Sequence, residues 1–201
     1  MRIVAFVVWL SFVLYSTFLS PGLSIERDPV FLKLMQIQAD EPLVLLMFMY
    51  LGIWPVTLVL LLLHEDRNAV PAWPFVIASF FLGAFSILPY LFLRNEKQQI
   101  KNRTPAWVLR GVLSTRVVAV LLVIVVSTTV FYSLNGSISA YIEVFMNSQF
   151  VHIMTIDFFV LSFTSGYIIY QQTGRKSWGI LSCLLPLLGA LLYIYTRNRL
   201  E

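Results

Sequence analysis

Residues 70–97 read VPAWPFVIASFFLGAFSILPYLFLRNEK. From Trp73 to Leu93 the stretch carries no charge, and about 20 apolar residues are enough for a helix to cross a bilayer. It nevertheless contains Pro71, Pro74, Pro89 and Gly83. In hydrocarbon every backbone N–H and C=O must find its partner within the protein, so helix-breaking residues there need a reason. Pro71 and Pro74 fall at a helix entry, where a missing N–H costs nothing. Trp73 between them suits the interface, with its ring buried and its N–H wet. Pro89 lies in the last turns and frees a carbonyl near position 85, which predicts a bend before Arg94. Ser79, Gly83 and Ser86 form a small-residue stripe that lets a neighbouring backbone approach.

The rest of the chain has the same character. Of its 201 residues 59% are apolar and 12% charged, and the mean hydropathy is +0.82. A soluble fold would leave more greasy surface than it could hide. The chain therefore reads as an all-α, polytopic transmembrane helix bundle, a single domain over 1–201. Six spans are expected, at 3–20, 43–63, 72–93, 117–134, 149–170 and 178–196. The first has the position of a signal peptide, but no small-x-small cleavage site follows, and it is read as a helix. With six spans, ten Lys and Arg fall on one side, namely Arg27, Lys33, Arg94, Lys97, Lys101, Arg103, Arg110, Arg116, Arg175 and Lys176. Arg2, Arg67, Arg197 and Arg199 fall on the other. By the positive-inside rule both termini then face away from the cytoplasm. The basic pI, near 9.3, speaks of topology and contact with anionic membrane lipids, not of nucleic acid.

Two further spans are interrupted: Gly52, Trp54 and Pro55 stand near the middle of the second, Pro186 and Gly189 in the sixth. Three kinked helices in a small bundle predict a cavity or groove. Cys183, the one cysteine, has no partner for a disulfide and reads as a small packing residue. The fifth span, SQFVHIMTIDFFVLSFTSGYIIY, carries an aspartate in the hydrocarbon region, where a carboxyl costs a few kcal/mol, so Asp157 is the leading site candidate. Thr164, seven positions on, shares its helical face. His152 does not, and reads as a wet interfacial histidine that serves no metal. His64 reads as exposed. Counted from the outer end, Ser127, Thr128 and Thr129 on the fourth span, Ser79 on the third, and Trp54 and Thr57 on the second reach the depth of Asp157. They predict a polar layer around it, either a staple between helices or the anchor of an apolar ligand pocket. The segment GSISAYIEVFMNSQF, 136–150, is amphipathic and is expected to lie on the outer surface with Glu143 on the wet side.

No H-E-x-x-H, Gly-rich phosphate loop, G-x-S-x-G or series of intramembrane carboxylates is present. The segments LGIWPVTLVLLLLHED, PAWPFVIASFFLGAFSILPYLFLR, FVHIMTIDFFVLSF and LLPLLGALLYIYTR together resemble a family of six-helix membrane proteins of cyanobacteria and plastids that has no assigned function. More loosely, His152, Asp157, Pro186 and Gly189 resemble the last two helices of the membrane domain associated with neoxanthin synthesis. That resemblance implies a carotenoid or similar long apolar ligand in a photosynthetic membrane, a thylakoid, cyanobacterial plasma or plastid membrane. Three classes stay open. The first is a protein that binds a carotenoid, quinone or lipid, or that helps assemble a larger membrane complex. The second is an isomerase-like enzyme using Asp157 or His152 as acid or base. The third is a transporter, which one intramembrane carboxyl serves poorly.

Overall fold

The computed structural model describes residues 2–22, 28–64, 66–94, 101–105 and 115–197, and these are helical, with short connections. Three helical runs are long and apolar enough to cross a membrane: α1 (Arg2–Leu14) with a π-turn at Tyr15–Leu19, α3 (Pro42–Leu58) with a π-turn at Val59–Leu63, and α8 (Gln149–Thr173). α6 (Thr115–Ser133) counts as a fourth only together with α7 (Ile138–Asn147), which lies at 101° to it. A short helix, α2 (Pro29–Met35), precedes α3. The ends follow ordinary capping chemistry. Asp28, Glu41, Ser137 and Ser148 accept from backbone amides of the first turns of α2, α3, α7 and α8, and Gly174 closes α8 with φ +66°.

The segments expected as the third and sixth spans are not single crossing helices. Residues 73–93 are two helices, α4 (Trp73–Leu82) and α5 (Ala84–Leu93), joined through Gly83 alone. Phe75 and Tyr90 place their ring centroids 5.7 Å apart, and Ser86 Oγ donates to the Phe75 carbonyl at 2.7 Å. In one straight helix, positions 75 and 90 would be roughly 22 Å apart at 1.5 Å per residue. The two arms are therefore folded side by side. The sixth segment repeats the device: α9 (Lys176–Leu184) and α10 (Leu188–Arg197) turn at Leu185–Leu187. The rings of Trp178 and Tyr193 meet at 5.9 Å. A Cβ on Gly189 would come within 2.6 Å of the Leu181 carbonyl, so glycine lets the arms close. Pro186 stands in this turn, where its carbonyl accepts from Leu188 N at 2.8 Å. The reason for the correction is length, since an arm of nine or ten residues spans only about 15 Å.

Folding these segments back moves the charges. The Arg2 guanidinium donates to the Arg94 carbonyl through Nε at 2.9 Å and through Nη2. Arg197 Nη2 donates to the Leu60 carbonyl at 3.0 Å and Gln172 Nε2 to Leu61 at 2.8 Å, while Thr104 Oγ1 donates to Leu63. A π-turn takes carbonyls out of the regular ladder, and here those of Val59–Leu63 bind three other segments. Both hairpins, both terminal helices and the loops around Arg67 and Arg103 thus share one end of the molecule. Arg2, Arg67 and Arg197 lie with Arg94, Lys101, Arg103, Arg175 and Lys176, so the ten-to-four division across two faces does not hold. At the opposite end the described cation is Lys33, paired with Asp40 at 2.5 Å. Arg27, Lys97, Arg110 and Arg199, with the side chain of Arg116, lie outside the described residues.

The carbonyl that Pro89 frees finds a partner in another helix. Pro89 denies Phe85 its helical donor, and Trp9 Nε1 supplies one at 3.1 Å, while Phe12 stacks on the Phe85 ring at 4.1 Å. These contacts hold α1 against α5. Hairpin α9–α10 packs on α8 through small residues. Ser165 Oγ and Ser182 Oγ are 2.9 Å apart, and a Cβ on Gly166 would come within 2.7 Å of the Gly179 carbonyl. Cys183, half-buried beside Gly166, is part of that contact.

Candidate functional site

The turn at Gly83 exposes the first amides of α5, which have no partner inside their own helix. Gly83 itself has φ +51° and ψ −128°, a backbone conformation essentially reserved for glycine. Asp157, on α8, is 4% exposed, and its Oδ1 accepts from Ala84 N at 2.8 Å. The carboxyl therefore caps a helix that belongs to another segment. It also sits at the positive end of the α5 dipole, which favours an acceptor there. A Cβ on Gly83 would overlap the Asp157 carboxylate, with Cγ only 2.7 Å away. The hairpin tip and the acid fit because position 83 has no side chain.

Beside this contact is a cavity of about 360 Å³. Gly83, Phe81, Leu82 and Phe85 of the hairpin line it, as do Asp157, Gln149, Phe150, Ile153 and Met154 of α8, Leu51 of α3 and Ser16 after α1. Its wall is aromatic and aliphatic apart from Asp157, Gln149 and Ser16. The Asp157 Oδ2 makes no hydrogen bond with the described residues. Leu51 has a special position, because Pro55 four residues on cannot donate to its carbonyl. At the outer end of the cavity Gln149 Nε2 donates to Ser20 Oγ at 2.7 Å, which fixes that side chain.

The expected polar layer does not assemble around Asp157. Ser127 and Thr128 are exposed and Thr129 half-buried. Thr128 donates to the Ile124 carbonyl at 2.9 Å and Thr129 to Val125 and Val126 at 3.0 and 2.9 Å, so each serves its own helix. Thr57 likewise donates to Ile53 at 3.2 Å and Ser79 to Val76 at 2.7 Å, both buried. Trp54 is fully buried against Phe158, with ring centroids 6.2 Å apart, and its Nε1 has no hydrogen-bond partner among the described residues. Thr164 is buried but lines a different groove. Ser86, expected as part of a packing stripe, closes the hairpin instead.

His152 is buried, not wet at an interface. Its Nδ1 is 3.1 Å from the Phe145 carbonyl, which can only accept, so Nδ1 carries a proton. Nε2 lies 2.7 Å from Tyr15 Oη, and the ring stacks on Phe145 at 4.1 Å. The histidine ties α1, α7 and α8 together and does not line the cavity. His64 is half-buried, against the exposed position expected for it. Among the described residues no three His, Cys, Asp or Glu side chains gather to hold a metal ion. What sequence reasoning missed is the Ala84 amide and the cavity wall; the available signal was Gly83 standing alone between two proline-bearing half-segments.

Compared with models of protein families, with characterised proteins and with solved structures, the chain matches none.

Proposed function

We propose that this integral membrane protein holds a hydrophobic ligand, a carotenoid, quinone or lipid, in the cavity beside the tip of hairpin α4–α5, with Asp157 as its polar anchor. The observation that carries the reading is a buried carboxyl with one oxygen committed to Ala84 N, the other without a hydrogen bond to the described residues, and the residue in the wall of a largely apolar cavity. Its volume, about 360 Å³, lies at the small end of the range typical for ligand sites. Such sites are apolar with a few placed polar groups that set orientation. A head group that hydrogen-bonds would meet Asp157, and the chain would lie along Leu51, Phe81, Phe85 and Phe150. The membrane is a photosynthetic one by the resemblance of the helix-five and helix-six motifs.

Orientation follows from the regrouped charges. The end that gathers Arg2, Arg67, Arg94, Lys101, Arg103, Arg175, Lys176 and Arg197 faces the cytoplasm, or the stroma of a plastid. Both termini and both hairpins belong to that face, and the cavity opens in the opposite half. An enzyme that pairs Asp157 with His152 is not favoured, because both ring nitrogens of His152 are engaged away from the cavity.

The test is to purify the protein from its native membrane in mild detergent and identify the extracted small molecules by mass spectrometry. Wild type should carry one apolar molecule in near-stoichiometric amount. Asp157→Asn keeps an oxygen for Ala84 N and should fold, yet lose most of that molecule. Equal retention by wild type and Asp157→Asn, or no bound molecule in either, contradicts the reading; in the second case the surface becomes a docking site for a larger complex.

A further inference from the structure

A second cavity has no part in the site above. It is an apolar groove of about 290 Å³ between α1, α5 and α8, lined among others by Val4, Val8, Leu88, Leu91, Phe163 and Tyr167. We propose that it holds one acyl chain of an anionic phospholipid whose phosphate sits on Arg2.

Groove-lining residues continue along each helix toward the cation-rich end, and residues three apart share a helical face. On α1 the position three before Ala5, another lining residue, is Arg2; three after Leu91 comes Arg94, the residue that caps α5. The Arg94 guanidinium lies 5.7 Å over the ring of Tyr167, the last residue of the groove on α8. The greasy channel therefore ends at two cations. Arg2 is exposed and spends two of its five N–H donors, one on Nε and one on Nη2, on the Arg94 carbonyl. Three donors remain, and no ion pair of Arg2 occurs among the described residues. A phosphate oxygen is the acceptor that such a fork matches best.

The body gains from such an occupant. Phe12 is the one buried residue of α1, so this helix is held along a narrow seam with α5. An acyl chain in the groove widens that seam with apolar contact. The cation-rich end is assigned above to the cytoplasmic leaflet, where anionic lipids are concentrated.

The experiment is native mass spectrometry of the full chain in detergent, with phosphatidylglycerol or phosphatidylcholine titrated after delipidation. Wild type should retain one phosphatidylglycerol in preference to phosphatidylcholine. One basic residue near a membrane surface contributes enough for about a five-fold preference, and Arg2→Gln should remove it. Val8→Trp, at a position 38% exposed and so tolerant of size, should abolish retention of both lipids. Arg175→Gln, at the same end but away from the groove, should behave as wild type. The proposal is overturned if both lipids bind wild type equally, or if neither is retained. It is also overturned if Arg175→Gln loses as much as Arg2→Gln, since the attraction would then be diffuse.

Discussion

Gly83 and Asp157 are a matched pair. The backbone conformation at 83 is strained for any residue with a Cβ, by about 1–3 kcal/mol, and the added methyl would also displace the carboxylate from Ala84 N. Gly83→Ala should therefore lower the stability of the detergent-solubilised protein by at least about 2 kcal/mol, read as a loss of several degrees in Tm. Asp157→Asn should cost far less, because its amide oxygen still accepts from Ala84 N. Asp157→Ala leaves that N–H unsatisfied in an apolar place, at about 1–3 kcal/mol. Asp66 gives a pH dependence outside the spans. Burial pushes its carboxyl above the ordinary aspartate value, against the Ala72 N–H at 3.2 Å and the Arg103 charge, which oppose the shift. A raised value means that the folded state favours the protonated form. Its contribution to stability is then full at acid pH, below the unfolded aspartate value, and is lost as pH rises through the folded one. Asp66→Asn should flatten that part of a stability profile, on the alkaline side of the ordinary aspartate value, measured by thermal unfolding; an unchanged slope contradicts the assignment.

At the scale of elements the hairpins decide the architecture. Cysteines placed at Phe75 and Tyr90, in a Cys183→Ser background, should cross-link with a short bifunctional thiol reagent within one chain. The same pair in a straight helix would be roughly 22 Å apart and out of reach. The three long spans were legible, with boundaries within three residues, because unbroken apolar runs of sufficient length have few alternatives in a membrane. The hairpins were not. Hydropathy measures length and greasiness, and two arms folded together have the same of both as one crossing helix. The contacts that separate the two cases, Phe75 with Tyr90 and Trp178 with Tyr193, join residues fifteen positions apart, a spacing with no meaning in a single helix. Pro89 was legible in its chemistry, since the Phe85 carbonyl it frees does find another donor. The identity of that donor, Trp9 from the first helix, was a tertiary fact.

For the whole molecule, one misread pair of elements propagated into the topology. Counting hairpins as crossings alternates the faces and scatters the cations; folding them back gathers the described cations other than Lys33 at one end. The same error misplaced the site. Asp157 stood out from its type and depth alone, whereas Thr57, Ser79, Thr128 and Thr129, assigned to it by depth, donate to carbonyls of their own helices. Depth along a span says nothing about which way a side chain turns. The most direct test of the architecture uses single cysteines at Arg67 and Lys101, both exposed and flanking hairpin α4–α5, in a Cys183→Ser background. An impermeant maleimide is applied to sealed membranes and again after permeabilisation. Both positions should be protected in sealed right-side-out vesicles and labelled only when these are opened, with Glu143→Cys labelled from outside. Labelling of Arg67→Cys and Lys101→Cys from opposite faces would make residues 73–93 a crossing helix and overturn the account.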